Sequence, residues 1–172
     1  HFLSDSIITT IYEGTSEIME MTIGRDFWQR HLKSRGSYFQ DSAAQLETLH
    51  AAEAQAGADI AALAQRILGE LTERARVARL TRHQHFLFQF GECAAMAECA
   101  GSMARRAATA LRGELSDKAD RRFAPAALAA ISRAYARDCA SRFLQEGLRW
   151  LHDGEDFAQL AQALQVQAVQ RC

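Results

Sequence analysis

The sequence predicts an all-α protein, an antiparallel helical bundle, and three observations lead to this fold class. Apolar residues recur at helical spacing over most of the chain, long stretches are rich in alanine, and Pro125 is the single proline. Alanine has the highest helix propensity and proline the lowest in a helix interior, so this composition favours long uninterrupted helices. No segment keeps the alternation of apolar and polar residues that is typical of a half-buried strand.

The first well-defined helix is expected from about Ser16 to Lys33, before Gly36. β-branched residues disfavour a stable helix in residues 1–14, and Thr15 or Ser16 supplies a hydroxyl that can cap the helix. Apolar residues on two faces imply burial on two sides; the two stripes are Ile18–Met21–Trp28–Leu32 and Met19–Ile23–Phe27. Arg25 falls within the first stripe, and we expect a carboxylate or backbone carbonyls to pair with it.

Two more helical segments are expected before Gly91. A weaker one runs from about Tyr38 to Gln55. An amphipathic helix follows, and its apolar face consists of Ile60, Leu63, Ile67 and Leu71. We expect this helix to continue through several arginines, because no helix breaker intervenes before Gly91. The arginines are Arg74, Arg76, Arg79 and Arg82. These arginines are predicted to form a solvated face that pairs with Glu70 and Glu73, and contact with anionic lipid or with the phosphates of a ligand stays open as the alternative.

Three further segments complete the chain. An alanine-rich helix is expected to close at Gly113, with Met96, Cys99 and Met103 packed in the core. The stretch GELSDKADRR is the best loop, and Pro125 suits the first turn of the last long helix, whose apolar stripe is predicted to be Leu128, Ile131, Tyr135, Leu144 and Leu148. A short terminal helix is expected over Phe157 to Val169.

The composition excludes several function classes. The chain has 172 residues, of which 48% are hydrophobic and 24% charged, as in ordinary globular proteins. A net charge of −1 without a lysine-rich tail is a poor basis for nucleic-acid binding, because a basic face supplies most of that affinity. No apolar run approaches the roughly 20 residues of a transmembrane helix.

The cysteines and histidines give no pattern typical of a metal site. None of the four cysteines forms a CxxC pair, and we expect small buried thiols in a reducing compartment; they are Cys93, Cys99, Cys139 and Cys172. His83 and His85 alternate and cannot share a helix face, so they do not have the geometry of zinc ligands. His31, His50 and His152 are scattered and are expected at the surface or at an interface.

A carboxylate with an unusual setting lies in the stretch IYEGTSEI, residues 11–18. Glu13 follows Ile11 and Tyr12 and precedes Gly14, just before the predicted helix. By composition alone an exposed loop glutamate is favoured, because glutamate is seldom buried. In an apolar pocket, however, its charged form would be desolvated and its pKa raised toward the range of a general base, beside N–H groups of a helix N-terminus that can bind an anion.

The longer stretch IYEGTSEIMEMTIGRD, residues 11–26, resembles the C-terminal active-site segment of the acyl-CoA dehydrogenases, flavoenzymes that oxidise acyl-CoA thioesters to trans-2-enoyl-CoA. The family pattern is Tyr or Phe, then Glu-Gly-Thr, a variable residue, Glu or Gln, and an apolar helix that carries Ala-Arg or Gly-Arg. This sequence fills every one of these positions, from Tyr12 to Gly24-Arg25.

The resemblance implies a role for each residue of the motif. Glu13 matches the catalytic base that removes the α-proton of the thioester, while a hydride leaves the β-carbon for the flavin of FAD. Gly14 matches a backbone position that touches the acyl-CoA, where a side chain would block the approach. Thr15 and Glu17 match residues that contact FAD, with Ser16 between them.

The resemblance also implies a domain organisation and partners. Residues 1–35 would complete the catalytic helical domain and residues 36–172 would form a helical extension, which looks like that of the very-long-chain type. In those relatives the extension supports a homodimer and peripheral membrane attachment. Electron-transfer flavoprotein is the implied acceptor, and the bacterial cytoplasm or the mitochondrial matrix is the implied compartment. We expect the chain to be a fragment, inactive alone, since a complete flavin site needs the family's other domains.

Two alternatives remain beside the enzyme. A non-enzymatic helical oligomerisation or interaction module could keep the family fold without the activity. A flavin-containing relative that binds DNA is disfavoured by the net charge.

Overall fold

The structure, a computed structural model, describes residues 16–116, 118–119 and 122–151, and this part of the chain is all-helical, without a strand. Five helices account for most of it: α1 (Ser16–Lys33), α2 (Tyr38–Ala52), α3 (Ala58–Val77), α4 (Gln84–Leu111) and α5 (Pro125–Trp150). Short 3₁₀ turns lie at Ala54–Ala56 and Leu80–Arg82. None of the described helices is both long enough and apolar enough to cross a membrane.

Helix α4 is the element that most of the others contact. It packs against α1, α3 and α5, and α3 packs in addition against α2 and α5. One continuous core runs through all five helices, from Phe27 of α1 through Phe39 of α2, Leu68 of α3 and Phe90 of α4 to Phe143 of α5. Helix α1 therefore shares its core with the rest of the described chain, although it lies next to α2 in sequence and makes few contacts with it.

Two glycines allow α1 and α4 to touch backbone to backbone. A Cβ atom built on Gly91 would lie 2.0 Å from the carbonyl oxygen of Glu20, and one built on Gly24 would lie 2.4 Å from that of Leu87. These distances are far shorter than any van der Waals contact, so no larger residue fits at either position without moving a helix. The Gly24-Arg25 step of the motif is thus, in part, a packing requirement.

The two ends of α4 have different surroundings. At its N-terminal end, here called the aromatic end, Phe86 and Phe90 meet Trp28 of α1, with ring centroids 6.1 and 6.0 Å apart, and Phe86 meets Trp150 of α5 at 5.0 Å. The C-terminal half, here called the alanine end, buries small residues instead: Ala97, Ala100, Gly101, Ala104, Ala107 and Ala108. Aromatic pairs at these distances contribute about 0.5–1.5 kcal/mol each beyond their buried area.

The predicted helix bounds are confirmed for α1, and Pro125 occupies the first turn of α5 as expected. The continuation of the third helix through the arginines is wrong, because α3 ends at Val77. Arg79 adopts a left-handed conformation with φ 55°, and a 3₁₀ turn precedes α4. No glycine or proline marks this break, so tertiary packing and not a local breaker residue ends the helix.

The predicted apolar stripe of α5 is shifted from the face that is buried. Ile131 and Leu148 are 40% and 38% exposed, and Leu128, Tyr135 and Leu144 are half-buried at the edge of the interface. The buried face consists mostly of smaller residues: Ala129, Ser132, Ala136, Cys139, Ala140, Phe143, Glu146 and Gly147. Small side chains occupy this face because they let α5 approach α3 closely. Gly147, for instance, lies directly against the Leu71 side chain.

The predicted core stripe of α4 needs a similar correction. Cys99 is exposed and Met96 and Met103 are half-buried, whereas the alanines between them are buried. Close packing of α4 on its neighbours therefore rests on alanine, and the larger side chains lie beside the contact. The expected lead-in of residues 1–14 and the terminal helix of residues 157–169 lie outside the described residues, and the domain boundary at residue 35 stays a prediction.

Candidate functional site

The end of the motif forms the first turn of α1. Ser16 and Glu17 both lie there and both are exposed, so the rest of the described chain leaves them accessible to another molecule. The first N–H groups of a helix have no partner within the helix, and the helix dipole makes this end favourable for anions. Glu13, Gly14 and Thr15, which include the predicted base, lie outside the described residues.

Carboxylates crowd the N-terminal half of α1. Partial burial and the nearby charges of Glu92 on α4 and Glu17 raise the pKa of the Glu20 carboxyl, and the guanidinium of Arg142 on α5 opposes this shift. Arg142 Nη2 in turn lies 2.6 Å from Glu92 Oε2. Helices α4 and α5 thus set the electrostatic environment of α1 within one turn of Glu17.

Arg25 does not have the setting that the sequence suggested. Its side chain is exposed, and it makes no hydrogen bond or ion pair with the described residues. The expectation of a structural partner for Arg25 inside this part of the chain is therefore wrong. Its neighbour Gly24 is the buried member of the pair, so the polypeptide turns the arginine away from α4.

Burial of α1 on two sides is not found within the described residues. Met21, Ile23 and Trp28 are half-buried against the core, and Phe27 is buried. The outer face exposes three large apolar side chains, Ile18 by 51%, Met19 by 52% and Leu32 by 49%. The face that was expected to be covered is open to solvent here.

A polar cleft of about 240 Å³ lies between the C-terminus of α1 and α3, and it is lined by His31, Leu32, Arg35, Gly36, Glu73 and Arg76. His31 is 1% exposed, so its predicted surface position is wrong. Its Nε2 lies 3.2 Å from Glu73 Oε2, and its ring packs near Trp28 and Phe39.

Glu73 is the electrostatic centre of this cleft. Hydrogen bonds donated by Arg76, and to a lesser extent the contact with His31, lower the pKa of the Glu73 carboxyl to about 2. Arg74 pairs in the same way with Glu70 at 2.7 Å. These pairs confirm the predicted local pairing for Arg74 and Arg76, whereas Arg79 and Arg82 are exposed but lie beyond the end of α3. The cleft is already charge-paired, so we assign it a structural role at the end of α1.

Two of the cysteines have strongly perturbed thiols. Burial raises the pKa of Cys93 and of Cys139 to about 12, and both are inert small core residues, as expected. Cys99 is exposed, contrary to the expectation for it, and Cys172 lies outside the described residues. Among the residues that the structure describes, no group of three or more His, Cys, Asp and Glu side chains is arranged to hold a metal ion.

Comparisons of the chain with protein-family models, with curated proteins and with solved structures found no match. The support for a function therefore comes from the motif of residues 12–25 and from the surroundings of α1.

One feature of the described chain was not predicted at all. A mostly apolar groove lies between the alanine end of α4 and the start of α5, and Ser132 is among its lining residues. Its residues come from two helices and a loop, so no local pattern in the sequence could reveal it.

Proposed function

We propose that this chain is the C-terminal part of an FAD-dependent acyl-CoA dehydrogenase that oxidises an acyl-CoA to the trans-2-enoyl-CoA. The observation that carries the proposal is the motif of residues 12–25, which fills every position of the family pattern and ends in the first turns of α1. In this proposal the activity belongs to a longer polypeptide, whose other domains complete the flavin and thioester sites.

Glu13 is the proposed base. Its carboxylate takes the α-proton of the thioester, and Gly14 leaves room for the acyl-CoA to approach. Its apolar sequence neighbours Ile11 and Tyr12 support this choice, because an apolar pocket would desolvate the charged form and raise the pKa of the carboxyl. A carboxyl with a raised pKa is matched to proton abstraction near neutral pH.

FAD is the proposed cofactor, and the residues at the start of α1 fit it. Ser16 and Glu17 are exposed residues. A serine hydroxyl can donate a hydrogen bond and a glutamate carboxylate can accept one, so together with Thr15 they offer both kinds of hydrogen-bonding partner to a flavin nucleotide. The flavin, when bound, accepts the hydride from the β-carbon. Electron-transfer flavoprotein is the proposed acceptor, in the bacterial cytoplasm or the mitochondrial matrix.

The five helices are proposed to be the end of the family's C-terminal helical domain together with an antiparallel helical extension. The exposed apolar face of α1, with Ile18, Met19 and Leu32, supports this assignment, because such side chains need a covering surface. The missing domains of the same polypeptide, or a second subunit of a homo-oligomer, would provide it.

The test uses the complete gene product that carries this chain. The purified protein should be yellow with bound flavin, and acyl-CoA should drive reduction of an electron-accepting dye. Glu13→Gln should lower that rate by at least about a thousandfold and retain the flavin, because a missing general base costs several orders of magnitude. Glu114→Gln, a substitution in the loop outside the motif, is the matched control and should keep full activity.

The proposed dehydrogenase activity is refuted if the protein purifies colourless, or if the Glu13→Gln variant reduces the dye as fast as the parent protein. A non-enzymatic helical oligomerisation module is then the favoured function, because the exposed apolar residues of α1 would fit a helix–helix interface as well as they fit a domain interface. In that case the protein lacks activity on every acyl chain length, and Met19→Glu converts its oligomer into monomer.

A further inference from the structure

The first turn of α1, which carries the residues proposed to contact FAD, lies one turn away from the place where α1 touches α4. Ser16 and Glu17 begin the helix, and Glu20, whose carbonyl oxygen faces Gly91, follows within the same turn. At a rise of about 1.5 Å per residue, this separation is only about 5 Å along the helix axis. A turn of α-helix is held by its own backbone hydrogen bonds, so any displacement of Glu20 also displaces Ser16 and Glu17.

Two backbone contacts, one turn apart on each helix, hold α1 on α4. A Cβ atom built on Gly91 would lie 2.0 Å from the Glu20 carbonyl oxygen and 2.9 Å from the Gly24 nitrogen. A Cβ atom built on Gly24 would lie 2.4 Å from the Leu87 carbonyl oxygen. Contacts at successive turns fix the rotation of α1 about its axis as well as its distance from α4. Backbone atoms inside packed helices cannot change rotamer to make room, so this arrangement allows one position of α1.

No other described helix supports α1 to a comparable extent. Within the described residues α1 packs mostly on α4 and makes few contacts with α2. The ring contacts of Trp28 with Phe86 and Phe90 lie about two turns further along α1, and side chains can adjust their rotamers where a backbone cannot. Among the described contacts, the glycine contact is therefore the one that sets where the first turn of α1 lies.

We propose that Gly91 and Gly24 are positioning residues for the flavin, because their contact holds the first turn of α1 where Ser16 and Glu17 reach the nucleotide. This role rests on the proposed function and extends the support of the cofactor to α4. Helix α4 belongs to the predicted extension, residues 36–172. The extension is then required for cofactor binding and is not an independent appendage.

The test compares Gly91→Ala with Gly101→Ala in the complete gene product that carries this chain. The methyl group at position 91 must push α1 outward by about 1 Å, whereas the one at position 101 meets no backbone atom. Misplacement by about 1 Å costs a precisely built site up to about a hundredfold. We expect Gly91→Ala to raise the dissociation constant of FAD by at least about tenfold and to change the visible circular dichroism of the bound flavin. Gly101→Ala should leave both unchanged.

A third variant separates loss of position from loss of stability. Leu46→Ala is the stability-matched control, because Leu46 is fully buried on α2 and its truncation leaves a cavity without pushing α1. Leu46→Ala should lower the melting temperature about as much as Gly91→Ala does, yet bind FAD with the affinity of the parent protein. The positioning role is overturned if Gly91→Ala binds FAD as tightly as the parent, or if Leu46→Ala weakens binding to the same degree. A parent protein without flavin refutes the proposed function instead, and the positioning role falls with it.

Hydrogen exchange of the parent protein gives a measurement that does not depend on the folding of any variant. If FAD binds better when α1 is docked on α4, bound FAD must stabilise the docked state by the same factor, by thermodynamic linkage. We therefore expect FAD to slow amide exchange by at least about tenfold in residues 20–24 and 87–91, relative to the flavin-free protein. Residues 44–48 of α2 should exchange at the same rate in both forms. Protection confined to α1, or equal throughout the chain, overturns the role of α4.

Discussion

The aromatic end and the alanine end of α4 belong to one helix but are packed by different means. At the aromatic end, large rings interlock and two glycines bring α1 into backbone contact. At the alanine end, the helices approach through small side chains, and the space between them opens into the groove at Ser132. Interlocked rings leave no room for change, whereas the contact at the alanine end borders an open groove. We therefore expect substitutions to affect stability strongly at one end and weakly at the other.

The largest effect is expected from Phe90→Ala. Phe90 is fully buried and its ring contacts Trp28, Phe39 and Phe86, so its removal leaves a cavity that rigid neighbours cannot fill. The free energy of unfolding should fall by about 4 kcal/mol, measured by urea denaturation. Ile131→Ala, at the other end, should reduce it by less than about 1 kcal/mol because Ile131 is 40% exposed. Similar losses for the two variants would contradict the comparison.

Two glycines of α4 provide the next test. Gly91→Ala puts a methyl group 2.0 Å from the Glu20 carbonyl oxygen, which belongs to the backbone and cannot rotate away. We expect a loss of about 3 kcal/mol in the free energy of unfolding. Gly101→Ala meets no backbone atom, only the flexible end of Arg105 at 3.2 Å and Leu46 Cδ1 at an ordinary contact distance of 3.7 Å. It should therefore be neutral or stabilise the chain by up to about 1 kcal/mol through helix propensity. A Gly91→Ala variant as stable as Gly101→Ala would rule out the backbone contact.

The C-termini of α1 and α4 close with the same hydrogen-bond pattern but different residues. In α1 the Gly36 N–H donates to the His31 carbonyl oxygen, and the Arg35 N–H donates to that of Leu32. In α4 the Glu114 N–H donates to the Thr109 carbonyl oxygen, and the Gly113 N–H donates to that of Ala110. The left-handed position is Arg35 with φ 56° in α1 and Gly113 with φ 72° in α4.

Glycine adopts this conformation without strain. Arg35→Gly should therefore stabilise the chain by about 0.5–1 kcal/mol, and Gly113→Ala should destabilise it by about 1 kcal/mol. The thermal midpoints of the two variants should move in opposite directions. Shifts of the same sign would show that side-chain contacts, and not the backbone, decide these positions.

The smallest effect concerns the cleft at the C-terminus of α1. Because the folded-state pKa of Glu73 is lowered to about 2 from 4.5, its ionised form stabilises the fold above pH 4.5, and this contribution is lost as the pH falls through 2. The Glu73 side chain is 45% exposed, so solvent screening limits the effect to less than about 1 kcal/mol.

Glu73→Gln should accordingly flatten the dependence of stability on pH between 5 and 2, as measured by denaturant midpoints across that range. Arg76→Gln removes the main cause of the pKa shift and should flatten the same part of the curve. If the slope of the parent chain persists in both variants, the acid sensitivity arises elsewhere.

The sequence was a good guide where a pattern is local and a poor one where a contact is distant. The bounds of α1 followed from Ser16 and from Gly36, and the start of α5 from Pro125. The break at Arg79 and the burial of His31 could not be predicted, because both depend on contacts between helices that are distant in sequence. The phase of α5 was wrong because hydropathy favours Ile131 and Leu148, whereas the close approach of helices favours Ala136, Ala140 and Gly147.

The candidate site shows the same division. A family-like motif of contiguous residues identified Glu13 and its neighbours, and Ser16 and Glu17 lie in the first turn of α1 as the helix prediction required. Two of the charges that shift the pKa of Glu20 belong to residues of other helices, Glu92 of α4 and Arg142 of α5. The groove at Ser132 likewise joins two helices. Such sites depend on tertiary structure, and no spacing along the chain encodes them.

The glycine contact between α1 and α4 also has a consequence for biosynthesis. Helix α1 leaves the ribosome before α2, α3 and α4, yet its principal docking surface includes Gly91 of α4. At roughly 5–20 residues per second, the ribosome needs several seconds to supply it. During that interval Trp28 has neither Phe86 nor Phe90 to pack against, so the nascent chain carries the apolar residues of α1 without their α4 partner. A chaperone that binds short apolar segments would find its substrate in α1 until α4 has emerged.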